Sequence, residues 1–317
     1  MVKALGLLSG GLDSCLAVKL MLDQGIEVEA LSFITPFSND NSEPDCHAAV
    51  ASRLFDIPLK IVSADDDYLQ MIRHPKFGYG SGMNPCIDCR IFMLLEAKRR
   101  AEEIDAAFIF TGEVLEQRPK SQHRKAFKLI DHEAGLEGRV LRPLSAKLLP
   151  RTEAERTGLV DRKKLLAVNG RSRKKQMILA EKWGITDYPH PAGGCSLTRK
   201  EFARKVHKLL RYKEDVTQRD IQLLRAGRHY WKNGNHIIVG RNESDNDTLL
   251  ELKNPEDALL EVPDCPSPVT LLEGDKTGAA VETAARLTAK YSDAASGRVA
   301  VEYRSGGLIK YINVERE

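Results

Sequence analysis

The sequence contains no run of about 20 apolar residues, the length that a membrane-spanning helix needs. It shows no leader-like pattern at its N-terminus, where the apolar segment ALGLL begins almost at once. We therefore expect a cytoplasmic protein that contacts no membrane. Aromatic residues are scarce at 6%, whereas 42% hydrophobic and 29% charged residues in a chain of 317 are typical of a globular protein with two domains.

A disulfide framework is not expected from the six cysteines, because the cytoplasm keeps thiols reduced. Cys86 and Cys89 form a close pair, and such a pair in a cytoplasmic protein indicates metal or redox chemistry. We interpret Cys15 and Cys46 as core residues and Cys265 as a loop residue of the second domain.

The net charge is only +3, but its distribution is uneven. Residues 199–213 carry seven Lys or Arg against one acid, and residues 171–175, RSRKK, add four more. Residues 243–264 carry eight acids against one Lys. Basic clusters of this kind are solvated helix faces or surfaces for an anionic partner such as a nucleic acid.

Short apolar runs alternate with segments of helical spacing through the first half of the chain. This alternation predicts an α/β fold, a parallel sheet with helices on both faces. The predicted strands are 4–9, 28–34, 60–64, 107–112 and 140–145, and an amphipathic helix is predicted at 91–104. After Cys195 the pattern changes to short strands, including TLLEL at 248–252, and one helix at 277–291, which predicts a smaller α+β domain. The expected divisions are a catalytic domain at 1–200, a basic helical linker at 201–227 and a C-terminal domain at 228–317.

A glycine-rich turn, SGGLDS, follows the first predicted strand at residues 9–14. A turn at this point presents backbone N–H groups at a helix N-terminus, where anions bind. Gly10 and Gly11 allow close backbone approach, and Ser9 and Ser14 can add hydroxyl donors. Asp13 would repel a phosphate unless a cation lies between them, which suits Mg²⁺. On the glycine pair alone, a strand–turn–helix corner without a ligand is equally consistent.

The full SGGLDS string resembles the PP-loop of the ATP pyrophosphatase superfamily, with its adenine nucleotide alpha hydrolase-like fold; no Walker GK[ST] follows it. The resemblance implies that ATP is cleaved between its α- and β-phosphates and that a substrate oxygen is adenylated. It implies an ATP site that includes Ser9, Gly10, Gly11, Leu12, Asp13, Ser14 and Phe33.

Residues 111–122, TGEVLEQRPKSQ, are similar to the TGE…GQ…SQ segment of the tRNA 4-thiouridine synthetases, and LRPLS at 141–145 is similar to a later segment of that family. Glu116 stands where the family often has Gly. The resemblance implies that Gly112 and Glu113 lie near the nucleotide and that Ser121 and Gln122 close the phosphate side. It implies a tRNA sulfurtransferase, with uridine 8 as the target and 4-thiouridine as the product; a 2-thio product at another position remains open.

Cys86, Cys89 and the distant Cys195 resemble the three cysteines around the [4Fe–4S] cluster of PP-loop thiolases. In that reading the three thiolates leave one iron open for an exogenous sulfide, which attacks the carbon activated by adenylation. Three alternatives remain. The cysteines could carry a persulfide and resolve it as a disulfide, hold zinc with His74 or His190, or be inert.

Thiolation of tRNA needs a basic surface for the RNA backbone. The candidates for it are Arg171, Arg173, Lys174, Lys175, Arg204, Lys205, Lys208 and Arg241. The segment HIIVGRNESDNDTLLEL is similar to the core of the NFACT-R RNA-binding module, although a packing or dimerisation module is an alternative. The expected partners are tRNA, a sulfur donor (free sulfide or a cysteine desulfurase) and a second copy in a homodimer. Sulfur transfer to a small molecule and a non-catalytic RNA-binding protein are the alternative functions.

Overall fold

The computed structural model describes residues 2–38, 46–64, 66–188, 195–232 and 234–316. Contacts divide the chain into two compact units, Met1–Ala203 and Arg204–Glu317, which we call the first and second units. The division of the chain predicted from the sequence, at 200/201 and 227/228, stays a prediction. Within the described residues, every helix is too short or too polar to cross a bilayer.

Five strands form the sheet of the first unit: β1 Lys3–Leu7, β2 Glu27–Ile34, β3 Leu59–Ser63, β4 Phe108–Thr111 and β5 Val140–Leu141. Their order is β3-β2-β1-β4-β5, and all neighbouring pairs are parallel. The chain runs outward from β1 to β3 and then returns to the other side of β1 with β4. Parallel sheets bind ligands at the carboxyl ends of their strands where the order reverses in this way.

Helices cover both faces of this sheet: α1 Leu12–Leu22, α2 His47–Phe55, α3 Asp66–Arg73, α4 Cys86–Glu103, α5 Arg124–Glu133, α6 Glu153–Arg156 and α7 Lys174–Lys182. Strand β1 is buried on both sides because its side chains alternate between two hydrophobic clusters, Ala4 in one and Leu5 in the other. The next residue of β1 is Gly6, and a Cβ at this position would come within 2.4 Å of Phe110 Cζ. The central strand therefore tolerates no side chain at this position without movement of that ring.

The second unit is built on a six-stranded antiparallel sheet: β6 Arg228–Lys232, β7 Asn235–Val239, β8 Ala258–Glu261, β9 Thr270–Glu273, β10 Gly297–Ser305 and β11 Leu308–Arg316. The strand order is β11-β10-β8-β9-β7-β6. The remaining helices are α8 Lys200–Tyr212, α9 Gln218–Leu223, α10 Glu243–Glu251 and α11 Gly278–Tyr291. The small side chains Ala284 and Ala285 of α11 are fully buried in the core of this unit, which allows the helix to lie close to the sheet.

The predicted fold class is confirmed by the parallel sheet with helices and by the separate C-terminal α+β unit. The predicted strand at 248–252 is wrong, because most of this segment lies in α10. Asn242 caps that helix by accepting a hydrogen bond from the Asp245 backbone N–H at 2.9 Å, and Leu249 is buried on its inner side. Local capping and one buried leucine therefore outweigh the apolar run TLL.

Candidate active site

The SGGLDS turn joins β1 to α1 at the carboxyl end of the sheet. Gly10 has a φ of +68°, and a Cβ there would lie 2.2 Å from the His47 carbonyl carbon. Both observations require glycine at this position. Ser14 closes the turn, because its hydroxyl donates to the Gly11 carbonyl at 2.8 Å and accepts from the Ser9 N–H at 3.3 Å. The loop is thus held in shape without a ligand.

The turn at the end of β4, residues 111–113 (the TGE turn), packs directly against this loop. A Cβ on Gly112 would lie 2.5 Å from the Ser14 backbone nitrogen, so the two backbones are in contact. Gly112 therefore lies beside the SGGLDS loop, and its place near a nucleotide stays a prediction.

A buried charge network supports the TGE turn. Arg142 donates through its Nε to Glu113 at 3.1 Å and makes a two-pronged contact with Asp131 at 2.7 and 3.0 Å. Burial lowers the pKa of Arg142, but the Glu113 and Asp131 carboxylates outweigh it and raise the pKa overall. Burial raises the pKa of Asp131 in spite of its arginine partner. Glu113 also lies 3.4 Å from Arg90, so two cations compensate its carboxylate.

A cavity of about 420 Å³ opens above the two turns. Its lining includes residues of both turns and four cysteines from elsewhere in the chain, Cys46, Cys86, Cys89 and Cys195. The predicted site residues on its wall are Ser9, Gly11, Asp13, Ser14, Phe33, Cys86, Cys89, Gly112, Glu113, Ser121, Gln122 and Cys195, together with Arg173, which was predicted to bind RNA. Gly10 and Leu12 do not line it: Gly10 packs on His47, and the Leu12 side chain is buried in the core.

Cys86 and Cys89 lie in the first turn of α4, so a helix rather than a loop presents the pair. The sequence placed the start of this helix at Ile91, later than observed. Asn84 donates its amide N–H to Cys86 Sγ at 3.1 Å, and the Tyr68 hydroxyl lies 3.4 Å from Cys89 Sγ. Each thiol of the pair therefore has a polar neighbour.

Cys195 reaches the same cavity because the residues after it are pinned to two other segments. The Ser196 N–H and hydroxyl both donate to the Phe37 carbonyl at 2.9 Å, just beyond β2. The Met83 N–H donates to the Leu197 carbonyl at 3.1 Å, just before α4. The predicted Gly193–Gly194 turn and His190 lie outside the described residues.

Burial raises the pKa of two of the cavity thiols, Cys89 and Cys195. The pKa of Cys195 rises to about 12, with Cys89 and Cys86 adding to the effect of burial. The thiols are thus close enough to influence one another. Among the described residues no group of three His, Cys, Asp or Glu could hold a single metal ion, and His74 is exposed. A [4Fe–4S] cluster distributes its thiolates over several irons, so its cysteine ligands need not converge on one metal ion.

Two residues that the sequence did not single out as nucleotide contacts meet at Asp13. Gln117 donates its Nε2–H to Asp13 Oδ2 at 2.9 Å, and Arg173 Nη2 lies 3.5 Å from the same oxygen. The signal for Gln117 was its place in the TGE segment. Arg173 gave no signal beyond its basic neighbours.

The predicted RNA-binding residues differ in their surroundings. Arg171, Lys174, Lys175, Arg204 and Lys208 are exposed. The Lys208 ammonium lies 5.4 Å from the Trp231 ring centroid. Lys205 donates to the Leu224 carbonyl at 3.0 Å, and Arg241 is paired with Asp245 at 2.6 Å. The last two would have to give up or share a contact in order to bind phosphate.

Two family profiles match the chain. Residues 1–147 match the family described as thiamine biosynthesis protein (ThiI), and residues 227–316 match the NFACT protein RNA binding domain. Among curated proteins none matches the chain by sequence.

Solved structures give only distant likenesses. A 4-thiouridine synthetase–RNA complex with bound ATP is 22% identical over 70% of this chain and 52% of its own, with a TM-score of 0.38. The U34-tRNA thiolase NcsA from Methanococcus maripaludis, with its [4Fe–4S] cluster, is 17% identical over 71% of this chain and 73% of its own, at 0.34. A predicted subunit of tRNA methyltransferase from Methanocaldococcus jannaschii is 12% identical over 57% of this chain and 76% of its own, with a TM-score of 0.36. This chain therefore spans about half the length of the 4-thiouridine synthetase.

TM-scores below 0.5 carry neither fold nor function to this chain, so its assignment depends on the profiles and on its own sheet order. Both predicted resemblances, to a PP-loop enzyme of the thiouridine synthetase type and to the NFACT-R module, are confirmed by the profile matches. Residues 1–147 are thus similar to the ThiI family, and residues 227–316 are similar to the NFACT RNA binding domain.

Proposed function

We propose that the protein is an ATP-dependent tRNA sulfurtransferase of the ThiI type, which adenylates a uridine oxygen and replaces it with sulfur. The observation that carries this proposal is that Cys86, Cys89 and Cys195 line the same cavity as the SGGLDS loop. An oxygen activated at the loop would therefore share a cavity with the sulfur that displaces it. AMP is a far better leaving group than oxide, which is the chemical reason to join the two functions.

The phosphates of ATP would bind to the backbone of Gly10–Ser14, where the N-terminus of α1 favours negative charge. Asp13 would hold Mg²⁺ between its carboxylate and the phosphates. Gly112 brings the second turn into contact with the loop, and Glu113 is neutralised by Arg90 and Arg142, so it adds little net charge near the nucleotide.

The three cysteines fit a [4Fe–4S] cluster. They are partly buried, they line one cavity, and a set of three thiolates leaves one iron without a protein ligand. When bound, the cluster would supply an open iron for exogenous sulfide. The chain itself contributes Asn84 and Tyr68, whose hydrogen-bonding groups face Cys86 and Cys89 and would stabilise the thiolates.

The RNA would be held by the NFACT-type domain and by the exposed basic residues, with the backbone of tRNA as the partner. We propose uridine 8 as the target, free sulfide or a cysteine desulfurase as the sulfur source, a homodimer as the assembly and the cytoplasm as the location.

Anaerobic purification followed by iron and sulfide analysis tests the cluster. We expect about four irons per chain in the wild type, a marked loss in Cys195→Ala, and no loss in the matched variant Cys265→Ala in the second unit. Mass spectrometry of tRNA from a strain without the protein should show 4-thiouridine reduced. If every thiolated base is unchanged, the tRNA function is wrong.

Two other mechanisms give different results in the same experiments. A persulfide mechanism would leave the wild type active without iron and would require only two of the three cysteines. The family's description as a thiamine biosynthesis protein favours a second candidate function, sulfur transfer to a small-molecule precursor. That function would leave tRNA unchanged and create a growth requirement for the small molecule.

A further inference from the structure

Three residues that are far apart in the sequence meet at one carboxylate oxygen in the cavity. Gln117 and Arg173 both contact Asp13 Oδ2, at 2.9 and 3.5 Å. The side chains of Asp13 and Arg173 are 17% and 18% exposed, so this pair is largely shielded from solvent. All three residues line the cavity that contains the SGGLDS loop.

Each of the three residues also has a second polar atom without a hydrogen-bond partner among the described residues. These buried atoms are Asp13 Oδ1, Gln117 Oε1 and Arg173 Nε. Buried polar atoms are nearly always paired in native proteins, so three together indicate that a partner is missing. Two of them are oxygens, which can bind a cation or accept a hydrogen bond, and the third is an N–H group, which can donate to an anion.

The position of Arg173 is set by the fold rather than by its basic neighbours. It precedes α7, and its carbonyl accepts the Met177 N–H at 2.9 Å. Helix α7 packs against α1, which begins at the SGGLDS loop. Arg171, Lys174 and Lys175 on the same segment are exposed, whereas Arg173 alone is directed to the loop.

We propose that Arg173 is a phosphate ligand of the Mg²⁺·ATP site, held on Asp13 in the nucleotide-free protein, and that Gln117 keeps the Asp13 carboxylate in place for the metal. This inference rests on the ATP site of the proposed function. Mg²⁺ and a phosphate together satisfy the unpaired oxygens and the unpaired N–H. With both bound, Asp13 Oδ1 would be the metal ligand, and the guanidinium of Arg173 would turn from Oδ2 to a phosphate oxygen.

Binding measured by calorimetry, without tRNA, tests the phosphate contact. For Arg173→Ala we expect Mg²⁺·ATP to bind about 10- to 100-fold more weakly, the usual effect of losing a charge-assisted contact, with adenosine affinity unchanged. Arg173→Lys should recover part of the loss. The matched variant Lys182→Ala, at an exposed basic position of α7, should leave the dissociation constant of Mg²⁺·ATP unchanged.

Three results would overturn the inference. Unchanged Mg²⁺·ATP affinity in Arg173→Ala, in a protein whose wild type binds the nucleotide, would refute the phosphate contact alone. An equal loss of adenosine affinity would show that Arg173 only supports the shape of the pocket. A wild type that binds no Mg²⁺·ATP would refute the proposed function as well.

A separate experiment in Mg²⁺-free buffer tests whether Asp13 holds Arg173. Asp13→Asn should strengthen binding of metal-free ATP, because it releases the arginine. That gain should be several-fold smaller in an Arg173→Ala background. An equal gain in both backgrounds would mean that Asp13 merely repels the phosphates, and the holding role would be wrong.

Discussion

Gly112 lies against the backbone of Ser14, so closely that a Cβ on Gly112 would come within 2.5 Å of the Ser14 nitrogen and 2.6 Å of its Cα. Gly112 follows β4, whereas Ser14 belongs to the SGGLDS segment that follows β1. The contact therefore joins the two motifs that the sequence singled out, and it makes the shape of the phosphate loop depend on a glycine about a hundred positions away.

Gly112→Ala should lower stability by about 1–3 kcal/mol, the usual cost of overpacking, and should weaken nucleotide binding. The reason is that the clashing atoms are backbone and cannot rotate away. Urea unfolding and ATP calorimetry measure the two effects. The control Gly278→Ala, where a Cβ would meet nothing within 4 Å, should leave both unchanged or raise stability slightly. A Gly112→Ala protein with wild-type stability and affinity would contradict the close contact.

Arg142→Met should be far more damaging than its size suggests. The change leaves the buried Glu113 and Asp131 carboxylates without their shared cation, which costs about 3–5 kcal/mol in comparable buried pairs. Chemical unfolding followed by the fluorescence of Trp183, in the first unit, gives the loss. Arg99→Ala, which removes an exposed pair with Glu96, should change little. A loss below about 1 kcal/mol in Arg142→Met would contradict a charge-compensating role.

Glu273 predicts a pH dependence for the second unit. Burial tends to raise its pKa, but hydrogen bonds from His236 at 2.9 Å and Arg219 at 2.6 Å prevail and lower the pKa to about 2 from 4.5. A carboxyl group whose pKa is lowered by folding stabilises the folded protein at pH values above the pKa it has in the unfolded chain. We therefore expect about 3 kcal/mol to be present at pH 7 and lost as the pH falls from about 4.5 to about 2.

Glu273→Gln should remove this acid-sensitive contribution, so its stability at pH 7 should fall and its pH profile below 4.5 should flatten. Urea unfolding at several pH values, followed by Trp231 in a Trp183→Phe background, measures it for the second unit. Glu251→Gln, at an exposed position, is the control. An unchanged slope of stability against pH in Glu273→Gln would show that other groups cause the acid sensitivity.

Tyr68→Phe should separate the sulfur contact from packing. The ring stays between Phe37 and Phe92, so stability should fall by about 1 kcal/mol or less. If the proposed cluster is present, loss of the hydroxyl beside Cys89 should lower its midpoint potential, because hydrogen bonds to sulfur favour the reduced cluster. Electrochemistry of the anaerobic protein gives the potential. Tyr79→Phe, whose hydroxyl donates to the Ile72 carbonyl, should leave it unchanged.

Features that depend on neighbouring residues could be predicted from the sequence. The alternation of apolar runs with helical spacing determined the parallel α/β class, because each local segment carries its own periodicity. Gly10 marked the SGGLDS turn, since its positive φ needs glycine wherever the chain goes next. The Cys86–Cys89 pair was visible for the same reason, although the start of α4 was not.

Contacts between distant segments were decided only by the tertiary structure. Cys195 reaches the cavity because the next two residues, Ser196 and Leu197, are hydrogen-bonded to Phe37 and Met83. Arg173 reaches Asp13 because α7 packs against α1. The periodicity of the sequence does not predict such contacts, because they follow from strand order and helix packing rather than from spacing along the chain. The sequence alone determined the fold class and the phosphate loop, whereas the tertiary structure decided which arginine in a basic segment lies at that loop.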